Sequence, residues 1–281
     1  MNQDIDKRVV PARPDLAAAY LQGRVMAARF VEGRAAQVAR GFVGLHTAPV
    51  DTAPLHTQLL FGEGFTVYEE KSGWVWGQAS LDSYVGYARA DAFRGTPISS
   101  THRVIARSTP LLRAPDVKKG AADMLPMNAK IAVAEAGERF ARLSTGLHVF
   151  AGHITPIDSH VSDWVSVTET LVGVPYVWGG KTAAGLDCSG LVQGALEAGG
   201  IASPRDTDMM ESSLGQSLPL DAQLKRGDLI FWKRHVGVML DAERIIHANG
   251  FWMQVSIEPL GLVRERTLTG ENLPIRTIKR L

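Results

Sequence analysis

Cys188 is the only cysteine among the 281 residues, so the chain forms no internal disulfide. It stands in Gly185-Leu186-Asp187-Cys188-Ser189-Gly190-Leu191-Val192, between a glycine-rich approach and an amphipathic run. A thiol attacks only as thiolate, and its ordinary pKa near 8.5 falls to roughly 3–7 at a helix start beside a histidine. Asp187 is the expected cap of such a helix. His235, in Arg234-His235-Val236-Gly237-Val238, and His247, in Ile246-His247-Ala248-Asn249-Gly250, both occupy strand-like settings. The pattern predicts Cys188 as nucleophile and His235 as general base. His247 is expected to hydrogen-bond the second nitrogen of His235 and fix its tautomer. A lone cysteine is ordinarily core packing and a lone strand histidine ordinarily structural. The three together point to catalysis.

The elements that must position these residues follow from pattern. Val161 to Val172 reads as a helix with Trp164, Val165 and Thr168 on one face. A second helix runs from Cys188 to Ala198, capped by Asp187 and stopped by Gly199-Gly200. Strands are expected at 228–233, 235–240, 244–247 and 254–257. A helix followed by an antiparallel sheet makes residues 160–281 an α+β domain.

Upstream the pattern changes. Residues 1–40 read as an N-terminal helical extension with Asp15 as a cap. Beyond them, short β-type runs alternate with turn signals. Shifted by 66 residues, Leu45, Leu59, Val67, Glu69 and Gly86 meet Leu111, Leu125, Val133, Glu135 and Gly152; Trp74 meets Phe140 and Tyr84 meets Phe150. This predicts two small all-β barrels, at 41–97 and 98–155, arising by duplication.

Four stretches together resemble the NlpC-like family of bacterial cell-wall cysteine peptidases. They are Gly173-Val174-Pro175-Tyr176-Val177-Trp178-Gly179-Gly180, the Cys188 motif, Arg226-Gly227-Asp228-Leu229-Ile230-Phe231-Trp232, and the two histidine segments. The resemblance implies a papain-like catalytic domain preceded by two bacterial SH3-like barrels. It implies the Cys188, His235 and His247 roles already reached, with the Cys188 amide in the oxyanion hole. The whole chain resembles the subgroup of γ-D-glutamyl-L-diamino acid endopeptidases, the dipeptidyl-peptidase VI type. These cut short murein peptides that carry a free N-terminal L-alanine. By that resemblance Pro204-Arg205-Asp206-Thr207-Asp208 is a substrate motif, and Tyr84, Asp187, Ser189, Asp206 and Thr207 contact the substrate. Only the first repeat carries a hydroxyl at the Tyr84 position. Departures are Met210, where a glutamine is common, and Arg234, where a glycine is common. Glu63, Asp51 or Asp206 is expected to receive the substrate's α-amine.

Composition limits the alternatives. Net charge is +1, from 30 basic and 29 acidic residues, which is no nucleic-acid footprint. No run of about 18 apolar residues suggests a membrane span, and the start Met1-Asn2-Gln3-Asp4, acidic where a leader is basic, is not expected to act as one. Neither nucleic acid nor membrane is expected as a partner; the expected partner is a murein tripeptide or tetrapeptide, met in the cytoplasm as part of wall recycling. No metal-ligand spacing, phosphate loop or dinucleotide pattern occurs, so no metal or other cofactor is expected. Two rival readings remain: an amidase or acyltransferase using the same thiol, and a non-catalytic wall-binding protein. The second predicts a thiol inert to alkylation near about pH 6.

Overall fold

The computed structural model describes residues 5–281, which fall into two compact units divided between Ser159 and His160. The first unit opens with a parallel pair, β1 (Ala17–Ala18) and β2 (Phe30–Val31), around a 3-10 turn. No α-helix forms between residues 5 and 40. Pro11 and Pro14 each remove a backbone donor at the expected helix start. Asp15 accepts from Arg13 at 2.9 Å rather than capping. Ala17 and Ala18 are fully buried, so packing overrides their helical preference.

A seven-stranded sheet follows: β3 (Arg34–Val38), β4 (Phe42–His46), β5 (Leu55–Leu60), β6 (Gly64–Lys71), β7 (Trp74–Ala79), β8 (Val85–Arg89) and β9 (Phe93–Arg94), in the order 5-4-8-7-6-3-9. Side chains alternate in β6, where Phe65 and Val67 enter the core with Val38, Leu45 and Leu59. The module therefore begins at β3, before residue 41.

The next eight strands are β10 (His102–Val104), β11 (Ser108–Leu112), β12 (Ala121–Pro126), β13 (Lys130–Ile131), β14 (Val133–Glu135), β15 (Phe140–Leu143), β16 (His148–Phe150) and β17 (Ile154–Pro156). They form sheets ordered 12-11-16-15-14 and 13-10-17. If β13 and β14, one residue apart, are counted as one bent strand, the connectivity repeats that of β3 to β9. Neither copy closes into a barrel as expected. In the first, β5 and the two-residue β9 are the unjoined ends of the ladder.

The repeat register also needs correction. Trp74 pairs with Arg89, and Phe140 pairs with Phe150. The offset of 66 residues at β7 and β15 thus falls to 61 at β8 and β16, because the second hairpin is shorter. Phe150 corresponds to Arg89, not Tyr84; both directly precede a 3-10 turn.

The second unit has α1 (Trp164–Glu169), a small hairpin of β18 (Lys181–Thr182) and β19 (Gly185–Leu186), α2 (Cys188–Ala198) and α3 (Thr207–Ser213). A six-stranded sheet then combines β20 (Gln216–Leu218), β21 (Leu229–Trp232), β22 (His235–Met239), β23 (Arg244–Asn249), β24 (Gln254–Pro259) and β25 (Thr277–Arg280), in the order 20-25-21-22-23-24. The 12-residue α4 (Leu260–Glu271) connects β24 to β25. α2 packs across β22 and β23, while Val263 and Leu260 of α4 pack on Ile230, Trp232, Met239 and Ile245. Among the described residues no helix is long and apolar enough to cross a membrane.

Candidate active site

α2 starts at Cys188 because Asp187 is extended and accepts from the Gly190 N–H at 2.6 Å. Gly190 has to lack a side chain, since a Cβ there would collide with the Gly180 carbonyl. The cap is itself held. Asp187 Oδ2 accepts from the Gly179 N–H at 2.8 Å and from Arg205 Nη2 at 2.7 Å. Arg205 Nη1 donates to Ser189 Oγ at 2.7 Å. Asp187, Ser189 and Arg205 are 6%, 5% and 1% exposed. Asp187 and Ser189, expected at the substrate, therefore close around Arg205, and this cluster fixes the helix start that carries the thiol.

Thr207 opens α3 and places Oγ1 3.8 Å from Cys188 Sγ. Asp206 precedes it, half-buried, at the helix cap position without a side-chain cap bond. Met210 fills the core under α3, fully buried. Tyr176, within the quoted motif but assigned no role from sequence, has its hydroxyl pushed well above the usual range by burial and by the neighbouring Cys188 and Asp187 charges. It stays protonated and can donate.

The thiol lies against the backbone on both sides of His235. Sγ is 3.9 Å from the Arg234 carbonyl and is also met by the Val236 N–H. Arg234 forms the tight hairpin between β21 and β22 at φ +64°, the left-handed conformation that glycine takes most readily. Among the described residues no hydrogen bond joins Sγ to the His235 ring, a looseness usual before substrate binds. Burial, reinforced by the Asp187 charge, pushes the thiol up to about 11, against the pull of Val236, Thr207 and Arg205. Burial, then His247 and Arg266, push the His235 imidazole down to about 3. The resting pair is therefore neutral thiol and neutral imidazole. The depressed thiol pKa expected from the helix start is not found, because desolvation outweighs the helix dipole and Asp187 adds an anion.

The two histidines meet through a gap in the sheet. The register Val238↔Ile246 places Gly237 opposite His247, and His235 is the diagonal neighbour. A Cβ on Gly237 would lie 3.2 Å from that of His247. Without one, the rings approach with Nε2 of His235 2.8 Å from Nδ1 of His247. His247 Nε2 in turn donates to Glu258 Oε2 at 2.8 Å, and Arg266 donates to both Glu258 oxygens at 2.7 and 3.0 Å. Glu258 was not foreseen from sequence. The signal was the alternation Ser256-Ile257-Glu258 in the strand paired with His247. Burial would raise the Glu258 carboxyl, but hydrogen bonds from His247 and Arg266 hold it well below the usual carboxylate range.

These shifts predict the pH dependence of stability. His235 and Glu258 have folded pKa values below their ordinary 6.5 and 4.5, so their contribution is complete above those values and is lost as pH falls. Cys188 is raised above its ordinary 9.0, so its contribution is lost as pH rises from there toward about 11. Thermal unfolding of the second unit should be most stable between roughly pH 6.5 and 9, and Cys188→Ala should flatten only the alkaline side. An alkaline limb unchanged in that variant contradicts the assignment.

The remaining site candidates lie in the first unit. Tyr84 is 2% exposed, in the core of the first β module, with the His56 ring 5.4 Å away. Glu63 is buried and accepts from the Leu60 N–H at 3.1 Å. Asp51 pairs with Arg89. The constellation described above is built wholly from residues 176–266. Among the described residues, no three His, Cys, Asp or Glu side chains are grouped as metal ligands would be.

Comparison with known proteins agrees with this geometry. The model of the NlpC/P60 family matches residues 173–267, and that of the bacterial dipeptidyl-peptidase SH3 domain matches residues 45–93. The γ-D-glutamyl-L-lysine dipeptidyl-peptidase of Bacillus subtilis is 29% identical over 220 residues, covering 69% of this chain and 72% of that protein. Dipeptidyl-peptidase 6 of Lysinibacillus sphaericus is 31% identical over 96 residues, 34% of this chain and 35% of the relative. The crystal structure of an NlpC/P60 family protein from Bacillus cereus superposes with a TM-score of 0.73 at 19% identity, covering 88% of this chain and 99% of the other, and shares the fold. A capped helix start carrying a lone thiol, two histidines on adjacent strands and these two domain matches show that residues 173–267 form an NlpC/P60 domain of the cysteine-peptidase type, with a bacterial dipeptidyl-peptidase SH3 domain ahead of it in the sequence at residues 45–93.

Proposed function

We propose that the chain hydrolyses the γ-D-glutamyl–diamino acid bond of short murein peptides with a free N-terminal L-alanine, in the cytoplasm, during wall recycling. The observation that carries this reading is the Cys188–His235–His247 constellation beside the buried Asp187–Arg205–Ser189 cluster, in a chain whose relatives include proteins named for that bond. We also read residues 98–155 as a second SH3-like copy, on the strength of its shared strand connectivity.

Chemistry follows from the neutral resting pair. As Sγ attacks the γ-carbonyl carbon, His235 takes the thiol proton, so nucleophile and imidazolium form together. The oxyanion is met by the Cys188 N–H at the α2 start and by the protonated Tyr176 hydroxyl. His235 then returns the proton to the leaving amine, and the C–N bond breaks to leave a thioester. Water, deprotonated by His235, releases the acid and restores the thiol. Selection for a free amino end is proposed to exclude intact wall, a steric and electrostatic discrimination.

The test is mass spectrometry of products from L-Ala-γ-D-Glu-meso-diaminopimelate beside its N-acetylated form. Release of L-Ala-D-Glu from the free peptide alone is the expected result. Cleavage of both keeps the peptidase and removes the free-amine gate. Cleavage of neither moves the activity to another acyl substrate.

A further inference from the structure

We propose that Glu258, clamped by Arg266, is a positioning residue that fixes the tautomers of both histidines and so presents a basic Nδ1 of His235 to the thiol. The inference rests on the cysteine-peptidase chemistry above, not on the choice of murein peptide. It follows from counting protons along one chain of contacts. Glu258 receives two hydrogen bonds from Arg266 and a weaker one from Ser256 Oγ at 3.4 Å. An ionised carboxylate only accepts. The hydrogen in the 2.8 Å contact to His247 therefore sits on His247 Nε2. With that one hydrogen on its ring, His247 has a bare Nδ1, which at 2.8 Å can only accept from His235 Nε2–H. Neutral His235 is left with its lone pair on Nδ1, the nitrogen free to take the thiol proton. Nδ1 has no hydrogen-bond partner among the described residues.

Register makes this relay possible. Ile245 pairs with Glu258 and His247 with Ser256, so Glu258 lies diagonal to His247 on the same face of β23 and β24. That face is covered by α4, from which Arg266 reaches over the Phe251 ring, 4.1 Å from its centroid. The groups around His235 are Cys188 from α2, His247 from β23, Glu258 from β24 and Arg266 from α4. When His235 takes the proton, Glu258 is the anion among them that supports the imidazolium; Arg266 opposes it.

The test has two readouts. In ¹⁵N spectra of the histidine-labelled chain, His235 and His247 should both carry hydrogen on Nε2 with bare Nδ1. A proton on Nδ1 of His235 in the unmutated protein overturns the proposal. Second, Glu258→Gln should lower kcat/KM on the order of 10²- to 10⁴-fold, mainly through kcat. The upper end is the cost of the wrong tautomer in a Ser-His-Asp triad. The acid limb of its pH profile should move to lower pH, and Glu258→Asp should recover part of both effects. Loss of activity only in proportion to loss of folded protein, with the limb unmoved, also overturns it. If the unmutated chain cleaves no murein peptide, the proposed function fails, and the histidine spectrum still decides this inference.

Discussion

Cys188→Ala is expected to lower turnover by about 10⁴- to 10⁶-fold while leaving the fold intact. The substitution removes one sulfur whose contacts are those to Thr207 Oγ1 at 3.8 Å, the Arg234 carbonyl at 3.9 Å and the Val236 N–H. The first residue of a helix accepts alanine readily, and the cap that starts α2 belongs to Asp187, not to Cys188. Chemistry and folding are therefore separable here. Product mass spectrometry under single-turnover conditions measures the first, and thermal unfolding near neutral pH the second. A residual rate within about tenfold of the parent chain would rule out covalent catalysis by this thiol. Alkylation is a weaker guide than it looked from sequence. With the thiol pushed up to about 11, a catalytic Cys188 is itself slow to alkylate near about pH 6, so inertness there does not single out a wall-binding protein.

Why the nucleophile was legible and its support was not has a physical explanation. Asp187 before Cys188, and Gly199-Gly200 after Ala198, are local signals that bound a helix whatever surrounds it. The strands bearing His235 and His247 were visible as short β-rich runs, and their order alone predicts a hairpin. The diagonal contact across Gly237 depends on register, which the turn sets and the apolar pattern does not reveal. Glu258 depends on the same register carried one strand further, and Arg266 on a helix that shows no apolar stripe. α4 reads Leu-Gly-Leu-Val-Arg-Glu-Arg-Thr-Leu-Thr-Gly-Glu, and its helical state comes from Val263 and Leu260 packing on the sheet. At the other end of the chain the reverse error arose. The alanine-rich start looked helical by propensity, but its prolines and the burial of Leu16, Ala17 and Ala18 made it strand and turn. The repeat was real in connectivity, yet an ungapped comparison could not see a hairpin shortened between β15 and β16. Tyr84 thus lost the sequence argument that set it apart from its counterpart.

Arg205→Met should destabilise the second unit by about 3–5 kcal/mol, the cost of leaving a buried ion without its partner. Methionine keeps most of the side-chain length, so cavity formation adds little. What is lost is the cation beside Asp187, whose carboxylate stays buried with only the Gly179 and Gly190 N–H groups and the Ser189 hydroxyl as donors. Because Asp187 starts the helix that carries Cys188, activity should fall further than the folded fraction alone accounts for. The double variant Arg205→Met/Asp187→Asn separates the explanations. Asparagine is as good a cap as aspartate and carries no charge, so the pair is replaced and no ion is stranded. Urea unfolding of the four proteins in this cycle should show the double variant more stable than Arg205→Met alone, with a coupling energy of about 1–3 kcal/mol. Simple additivity would mean that Arg205 stabilises the site by packing, and that the charge on Asp187 is solvated well enough without it.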